Sequence, residues 1–276
     1  MTTSDEIHFR DPFVLVEDGA YTLYGTSGEG GMGASGRFQA YRGTDLEHWD
    51  GPFTVFQRAP DFWADQDFWA PEVHRYGDAY YLFASFRADG VRRGTQVLRA
   101  DHPLGPFTPW SDGPITPREW ECLDGTFHVD EEGTPWMIFC HEWVQAFDGE
   151  MCAVRLTTDL RAAASAAVTL FKASEAPWAE KVVDGYVTDG PFLLRLADGS
   201  LGMLWSSLGK RGYAIGLAVS EGGGVLGPWC QETTPIFGED GGHGMVFTDL
   251  EGKKRLAIHQ PNAVPDERPV FLPFDR

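Results

Sequence analysis

Five apolar segments of the chain begin with an ionisable residue, and these segments recur at similar intervals. The five residues are Asp11, Glu72, Asp124, Asp189 and His243, separated by 61, 52, 65 and 54 positions. A charged group at the start of a buried strand costs free energy unless it has a partner or a function. Four carboxyl groups and an imidazole that met in one pocket would therefore form a candidate site.

Carboxyl groups in one apolar, aromatic-lined pocket titrate at different pH values, because burial and like charges raise some pKa values and leave others low. A neutral acid and an ionised base on either side of a bond form the arrangement that hydrolyses glycosides. The competing use of clustered acids is Ca²⁺ binding, which needs about six to eight oxygen ligands. No DxDxDG loop is present. For any single acid the alternative is a salt bridge or a turn cap.

The elements that must position these residues form a repeat. Each unit contains an apolar strand, a turn with Gly or Asp, a second strand, a longer loop and a third strand, usually followed by a Gly-Pro-aromatic turn. Four short antiparallel strands recurring about every 50–60 residues are typical of β-propeller blades. The sequence predicts an all-β, five-bladed propeller with four strands per blade, in one domain (residues 1–276; blades 7–60, 61–118, 119–175, 182–237 and 238–276).

In a propeller the innermost strands line a central channel, so the heads of these strands converge at one mouth of it. Two β-sandwiches are the rival architecture. They do not explain why each unit begins with a polar residue in a similar place.

Composition restricts the partners. The net charge is −19 and the pI is about 4.7, which argues against nucleic acid and anionic membranes because both attract basic surfaces. A neutral oligosaccharide or polysaccharide is compatible, and nothing indicates an obligate protein partner. The N-terminus has neither a basic nor an apolar signal region. It predicts a cytoplasmic protein, although a secreted chain trimmed of its signal would look the same.

Short motifs at the segment heads resemble those of glycoside hydrolase family 43. They are Arg10-Asp11-Pro12, Trp69-Ala70-Pro71-Glu72-Val73, Leu123-Asp124-Gly125-Thr126-Phe127, Thr188-Asp189-Gly190-Pro191 and Gly242-His243-Gly244. The resemblance extends over all five units. It implies an inverting hydrolase on a five-bladed propeller that releases α-L-arabinofuranosyl or β-D-xylosyl units from plant-type glycans. We expect exo action and no organic cofactor.

The resemblance also implies roles for individual residues. Asp11 resembles the general base, Asp124 the acid that orients the proton donor and raises its pKa, and Asp189 the general acid. The family usually has Glu-Gly-Pro where this chain has Asp-Gly-Pro, and Asp is one methylene shorter. Inverting chemistry places the two carboxyl groups about 6.5–9.5 Å apart. Glu72 and Glu142 are the alternative proton donors.

Further expectations concern binding. His243 resembles a histidine on the channel axis that holds a water or a metal ion, often calcium; a structural histidine bonded to backbone is the alternative. We expect the substrate to contact Trp69, Glu72, His141, Glu142, Trp143 and Arg268. A glycine-rich loop at residues 28–33 is expected at the pocket rim. If the missing Glu abolishes turnover, the protein is a carbohydrate-binding propeller; the third alternative is a scaffold for protein partners.

Overall fold

The structure is a computed structural model that describes residues 1–27 and 36–276. It is all-β, with five separate antiparallel sheets arranged as the blades of a propeller. The five-bladed propeller predicted from the repeat is confirmed. The glycine-rich loop expected at the rim lies outside the described residues.

Each blade is a meander that runs from the axis outward. The strands of blade one are Phe9–Glu17, Ala20–Ser27, Arg37–Gly43 and His48–Gln57, and Thr2–Thr3 pairs with the outermost one. Those of blade two are Gln66–Tyr76, Ala79–Ala88, Val91–Ala100 and Thr108–Pro109. Those of blade three are Cys122–Val129, Pro135–His141, Glu150–Arg155 and Val168–Lys172. Those of blade four are Asp189–Arg195, Leu201–Gly209, Gly212–Ser220 and Trp229–Gln231.

Blade five differs from the prediction of four strands per blade. Among the described residues it has three strands, Gly242–Thr248, Lys254–Gln260 and Arg268–Pro273. Within residues 1–27 and 36–276, the helical elements are one α-helical turn, Trp143–Ala146, and two 3₁₀ turns, Ser4–Glu6 and Ala173–Glu175. No helix in the described part of the chain has the length and apolar character needed to cross a membrane.

The hydrophobic core lies between adjacent blades rather than in one central mass. Between blades one and two, Phe38, Phe56, Phe68 and Phe86 pack ring against ring at centroid distances of 5.2 to 6.3 Å. Three of these contacts are edge-to-face, and such pairs contribute beyond the area that they bury. The blades are therefore held rigidly, and so are the strand heads at the axis.

Every innermost strand carries a β-bulge at its head. The register with the second strand shifts there in all five blades. The bulge contains a residue with positive φ: Asp11 (52°), Ala70 (47°), Asp124 (56°), Gly190 (48°) and His243 (49°). A non-glycine residue in this conformation costs roughly 1–3 kcal/mol and persists only where the surroundings enforce it.

A ring of hydrogen bonds enforces the bulges. In four blades the N–H of the positive-φ residue donates to a side chain near the end of the second strand of the preceding blade. The four bonds are Ala70 to Thr26 Oγ1 (2.7 Å), Asp124 to Ser85 Oγ (2.9 Å), His243 to Ser206 Oγ (2.9 Å) and Asp11 to His259 Nδ1 (3.2 Å).

The fifth bond of the ring is different. The residue of blade three that corresponds to Thr26, Ser85, Ser206 and His259 is Cys140, which pairs with Leu123 in the sheet. The N–H of Gly190 donates instead to Oδ2 of Asp124, at 3.1 Å. This exceptional bond places the Asp124 carboxylate of blade three against the head of blade four.

The bulges also correct the alignment of the repeat. The residue of blade two that matches Asp11 is Ala70, and Glu72 lies two positions further along the strand. In blade four the match is Gly190, and Asp189 lies one position earlier. Asp189 therefore belongs to a second layer with Arg10, Trp69, Leu123 and Gly242, each directly before a bulge residue.

Candidate active site

The heads of the inner strands border a pocket of about 210 Å³ at the mouth of the channel. Its lining residues come from the inner strands of all five blades, from the turn after the second strand of blade three, from the segment before blade four and from the third strand of blade four: Arg10, Asp11, Trp69, Leu123, Asp124, Glu142, Trp143, Val187, Asp189, Tyr213 and His243. The structure thus brings together the three predicted catalytic acids. Larger surface cavities, such as one of about 720 Å³ beside Asp45 and Asp249, contain none of these acids.

Asp11 is held as a carboxylate. Its Oδ2 accepts a hydrogen bond from the Thr26 hydroxyl at 2.6 Å, and its Oδ1 lies 3.2 Å from Nδ1 of His243. Burial by itself would raise the pKa of Asp11, but the charge and the hydrogen bond of His243 outweigh it, helped by the charge of Arg10. The pKa of Asp11 therefore lies far below its usual value, and the carboxylate is ionised at neutral pH.

His259 fixes the backbone of Asp11. Its imidazole is fully buried, and burial lowers the pKa of His259 to about 4, so the ring is neutral. Nδ1 accepts the Asp11 N–H. The proton must then be on Nε2, which lies 3.2 Å from Oδ1 of Asn262. The same oxygen accepts a bond from Arg10 at 2.6 Å.

His243 is a cation that contacts two of the acids. Burial would lower its pKa, but the charges of Asp11 and Asp124 outweigh this and raise the pKa of His243 to about 10. The imidazolium Nδ1 lies between the two carboxylates, at 3.2 and 3.6 Å. A proton donor so engaged is not a metal ligand through that nitrogen.

A calcium ion near His243, which the family resemblance implied, stays a prediction. In the described ranges no three His, Cys, Asp or Glu side chains are grouped so that they could hold a metal ion, whereas Ca²⁺ needs about six to eight oxygens. The steps proposed below use no metal. A water on the axis stays a prediction.

Asp124 lies between the other two acids. Burial raises the pKa of Asp124 to about 6, opposed by His243 and reinforced by the negative charge of Asp11. Its Oδ2 accepts the Gly190 N–H, next to Asp189. Asp124 is thus placed to influence Asp189 through both charge and backbone position.

Asp189 has the opposite electrostatic character to Asp11. Burial and then the negative charge of Asp124 raise the pKa of Asp189 to about 7. One oxygen, Oδ2, accepts a hydrogen bond from the hydroxyl of Tyr213 at 3.0 Å. At neutral pH a large fraction of Asp189 therefore carries a proton that it can donate.

Glu142 is a second acid in the pocket whose pKa is raised. Burial raises the pKa of Glu142 to about 7, although the Arg93 guanidinium, which donates a hydrogen bond to Oε2, acts against it. Arg93 is itself buried, donates two further bonds to Asp67, and lies 4.2 Å from the ring centroid of Trp69. This network holds the Trp69 indole and the Glu142 carboxyl at fixed positions in the pocket wall.

Three predicted binding residues lie outside the pocket lining. Glu72 is buried and accepts a bond from Thr126 at 2.6 Å, with His74 at 2.9 Å. His141 stacks on Trp120 with a centroid distance of 4.4 Å.

Arg268 is the third, on the outermost strand of blade five. Its guanidinium donates to the backbone carbonyls of Asp5, Pro265 and Glu267. Of the predicted binding residues, the structure places Trp69, Glu142 and Trp143 in the lining.

Sequence reasoning missed Tyr213, His259 and Arg93. All three come from second or third strands, and they reach the site by packing across blades. An alignment of second strands would have exposed the hydrogen-bonding positions Thr26, Ser85, Cys140, Ser206 and His259. No comparable signal marks Tyr213 or Arg93.

The geometry therefore combines an ionised carboxylate, a neutral carboxyl group and a third carboxyl group between them, in a pocket walled by Trp69 and Trp143. This is the arrangement for general acid–base cleavage of a glycosidic bond.

Comparison with known proteins agrees. Residues 6–271 match the family described as glycosyl hydrolases family 43. The chain belongs to this family.

This family 43 member is similar to a solved endo-arabinase from Bacteroides thetaiotaomicron VPI-5482, with 45% sequence identity and a TM-score of 0.92 over 99% of this chain and 96% of that one. It is 24% identical to an extracellular exo-α-(1→5)-L-arabinofuranosidase, ArbA, from Cellvibrio japonicus, over 92% of this chain and 79% of ArbA. An α-L-arabinofuranosidase structure from Lactobacillus brevis has the same fold (TM-score 0.77, 19% identity, covering 97% and 91% of the two chains).

Proposed function

We propose that this family 43 glycoside hydrolase removes α-L-arabinofuranosyl units from arabinan-type oligosaccharides and polysaccharides with inversion of the anomeric centre. The observation that carries the proposal is the opposite protonation of two carboxyl groups in one pocket. The pKa of Asp11 is far below its ordinary value, and that of Asp189 is raised to about 7.

Each acid has one role in the proposed step. Asp11 removes a proton from a water molecule, and the water oxygen bonds to the anomeric carbon. The bond from that carbon to the departing oxygen breaks, and Asp189 gives its proton to the departing oxygen. Asp124 keeps Asp189 protonated through its negative charge. Positioned acids and bases of this kind each contribute about 10²- to 10⁴-fold.

Arabinose as the released sugar rests on similarity. The protein at 45% identity is described as an endo-arabinase, and ArbA as an exo-arabinofuranosidase. We infer exo action from the small size of the pocket, about 210 Å³, which is lined by Trp69 and Trp143; endo action, as described for the protein at 45% identity, is the alternative. The acidic surface suits an uncharged glycan. The cytoplasmic location inferred from the N-terminus stays a prediction, and ArbA is described as extracellular.

The test is product analysis with defined substrates. Linear α-1,5-arabino-oligosaccharides, polymeric arabinan, xylo-oligosaccharides and arabinoxylan are incubated with the wild type, and products are followed by chromatography and by NMR of the first-formed anomer. We expect free arabinose as the early product, first in the β-anomeric form.

Each other outcome contradicts a different part of the proposal. Early oligosaccharides of mixed length from arabinan would show endo action, xylose alone would change the sugar, and the α-anomer would exclude inversion. Glycan binding by the wild type without release of any sugar would show a binding propeller instead.

A further inference from the structure

Tyr213 fills a sector of the pocket where the inner strand supplies no side chain. The residue before the bulge in blade five is Gly242. A Cβ at that position would lie 2.3 Å from the Tyr213 ring. The tyrosine side chain, from the third strand of blade four, therefore occupies the place in the second layer that Arg10, Trp69, Leu123 and Asp189 occupy in the other blades.

The Tyr213 ring is fixed from two sides. It stacks on His259 with a centroid distance of 5.5 Å and an interplanar angle of 24°. Its backbone N–H donates to Oδ1 of Asp240 at 3.2 Å. The ring is 4% exposed, so the hydroxyl has little freedom to leave Asp189.

The hydroxyl acts on Asp189 as a donor. Burial raises the pKa of Tyr213 well above 10, so the phenol keeps its proton at every pH at which the enzyme is expected to work. It donates to Oδ2 of Asp189. A proton carried by Asp189 is then located on Oδ1, because Oδ2 is engaged as an acceptor.

We propose that Tyr213 is the positioning residue of the general acid: it holds the short Asp189 side chain at Oδ2 and assigns proton donation to Oδ1. The proposal rests on the function proposed above. It also explains how an aspartate stands where the family usually has the longer glutamate, since the hydroxyl fixes the rotamer that a shorter side chain must adopt. The sequence carries no local signal for this pairing.

The test is Tyr213→Phe, which keeps the stacked ring and removes only the hydroxyl. A hydrogen bond donated to a carboxylate stabilises its charged form. Its loss should raise the pKa of Asp189, and the basic limb of the kcat/KM profile should move upward by about one pH unit. We expect kcat on arabino-oligosaccharides to fall about 10-fold. The fall should be smaller on a dinitrophenyl arabinofuranoside, whose leaving group needs little protonation, and KM should be unchanged.

The control is Tyr80→Phe. The Tyr80 hydroxyl also donates to a carboxylate, Oε2 of Glu17 at 2.6 Å, but outside the pocket. This variant should keep the wild-type pH profile. A purely structural role for Tyr213 predicts a lower melting temperature with no movement of the basic limb and equal losses on both substrates, and that result would overturn the proposal.

A readout without turnover separates this proposal from the proposed function. The Asp189 carboxyl is titrated by ¹³C NMR in the wild type and in Tyr213→Phe. A higher pKa in the variant supports the positioning role even if the wild type releases no arabinose, which would refute only the function. An unchanged Asp189 pKa refutes the positioning role even if the wild type is fully active.

Discussion

The heads of blades one and four have nearly the same sequence pattern and opposite chemistry. Arg10-Asp11-Pro12 and Asp189-Gly190-Pro191 both place an acid beside a bulge that proline follows. In blade one the acid itself is the positive-φ residue; in blade four glycine is, and the acid comes one position earlier. This offset of one residue moves the carboxyl group from the layer of the bulge residues to the second layer, which contains the residues directly before them.

The offset decides which neighbours each acid meets. Asp11, a bulge residue, contacts His243 and Thr26, which stabilise its negative charge. Asp189, in the second layer, is buried beside Asp124, whose negative charge disfavours ionisation of Asp189. The same functional group is thus an ionised base in one blade and a proton donor in another. Both residues are aspartates, so the neighbours that each carboxyl group meets, rather than residue type, determine the difference.

The largest effect is expected at the base. Asp11→Asn should lower kcat/KM at least about 1,000-fold, because the amide cannot take a proton from water. Asparagine tolerates positive φ, so the melting temperature should stay near that of the wild type. The matched control is Asp18→Asn, the same substitution at φ 50° in an exposed hairpin turn. Comparable activity in the Asp11 and Asp18 variants would show that Asp11 is not the general base, and the comparison between blades one and four would fail.

A smaller loss is expected at the acid. Above pH about 7 the wild type should lose activity as Asp189 gives up its proton. Asp189→Asn should abolish this basic limb and lower turnover of arabino-oligosaccharides about 100-fold, with a much smaller loss on activated aryl glycosides.

Glu142→Gln provides the comparison for the acid, since the pKa of Glu142 is also raised to about 7. We expect turnover of arabino-oligosaccharides by this variant to fall about 10-fold, and the basic limb of its pH profile to stay as in the wild type. If Glu142→Gln instead abolishes the basic limb and Asp189→Asn keeps it, Glu142 is the proton donor, and Asp189 has only a supporting role.

The smallest effect is expected at the exception in the hydrogen-bond ring. In Cys140→Ser a hydroxyl is available to accept the Gly190 N–H, as Ser85 and Ser206 do for their neighbours. Asp124 would then lose a bond, and kcat/KM should fall about threefold. The control is Cys152→Ser, a buried thiol of the same blade outside the ring. Equal changes in both variants would show that Asp124 does not depend on this bond.

The sequence was sufficient to predict the propeller, because each blade carries its own strand and turn signals. It was also sufficient to place Asp11, Asp124 and Asp189 at one mouth, since inner strands converge there. The alignment by charge was wrong by two positions at Glu72 and by one position at Asp189, because the residue that defines each head is the one with positive φ. Its local signal is the following Pro or Gly, at Pro71 in blade two.

The supporting residues were not predictable for a different reason. Tyr213 and His259 act through a stacked contact between blades four and five. Arg93 reaches Glu142 from blade two to blade three. Such contacts depend on how two sheets pack, and no periodicity within either strand encodes them.

The hydrogen-bond ring also sets a time at which the site is completed. The backbone of Asp11 receives its partner from His259, 248 residues later in the chain. During synthesis the first blade emerges long before the strand that holds its base in position. A ribosome-bound chain therefore has no finished base until the last blade has docked on the first, so hydrolysis begins as a single late event rather than growing blade by blade.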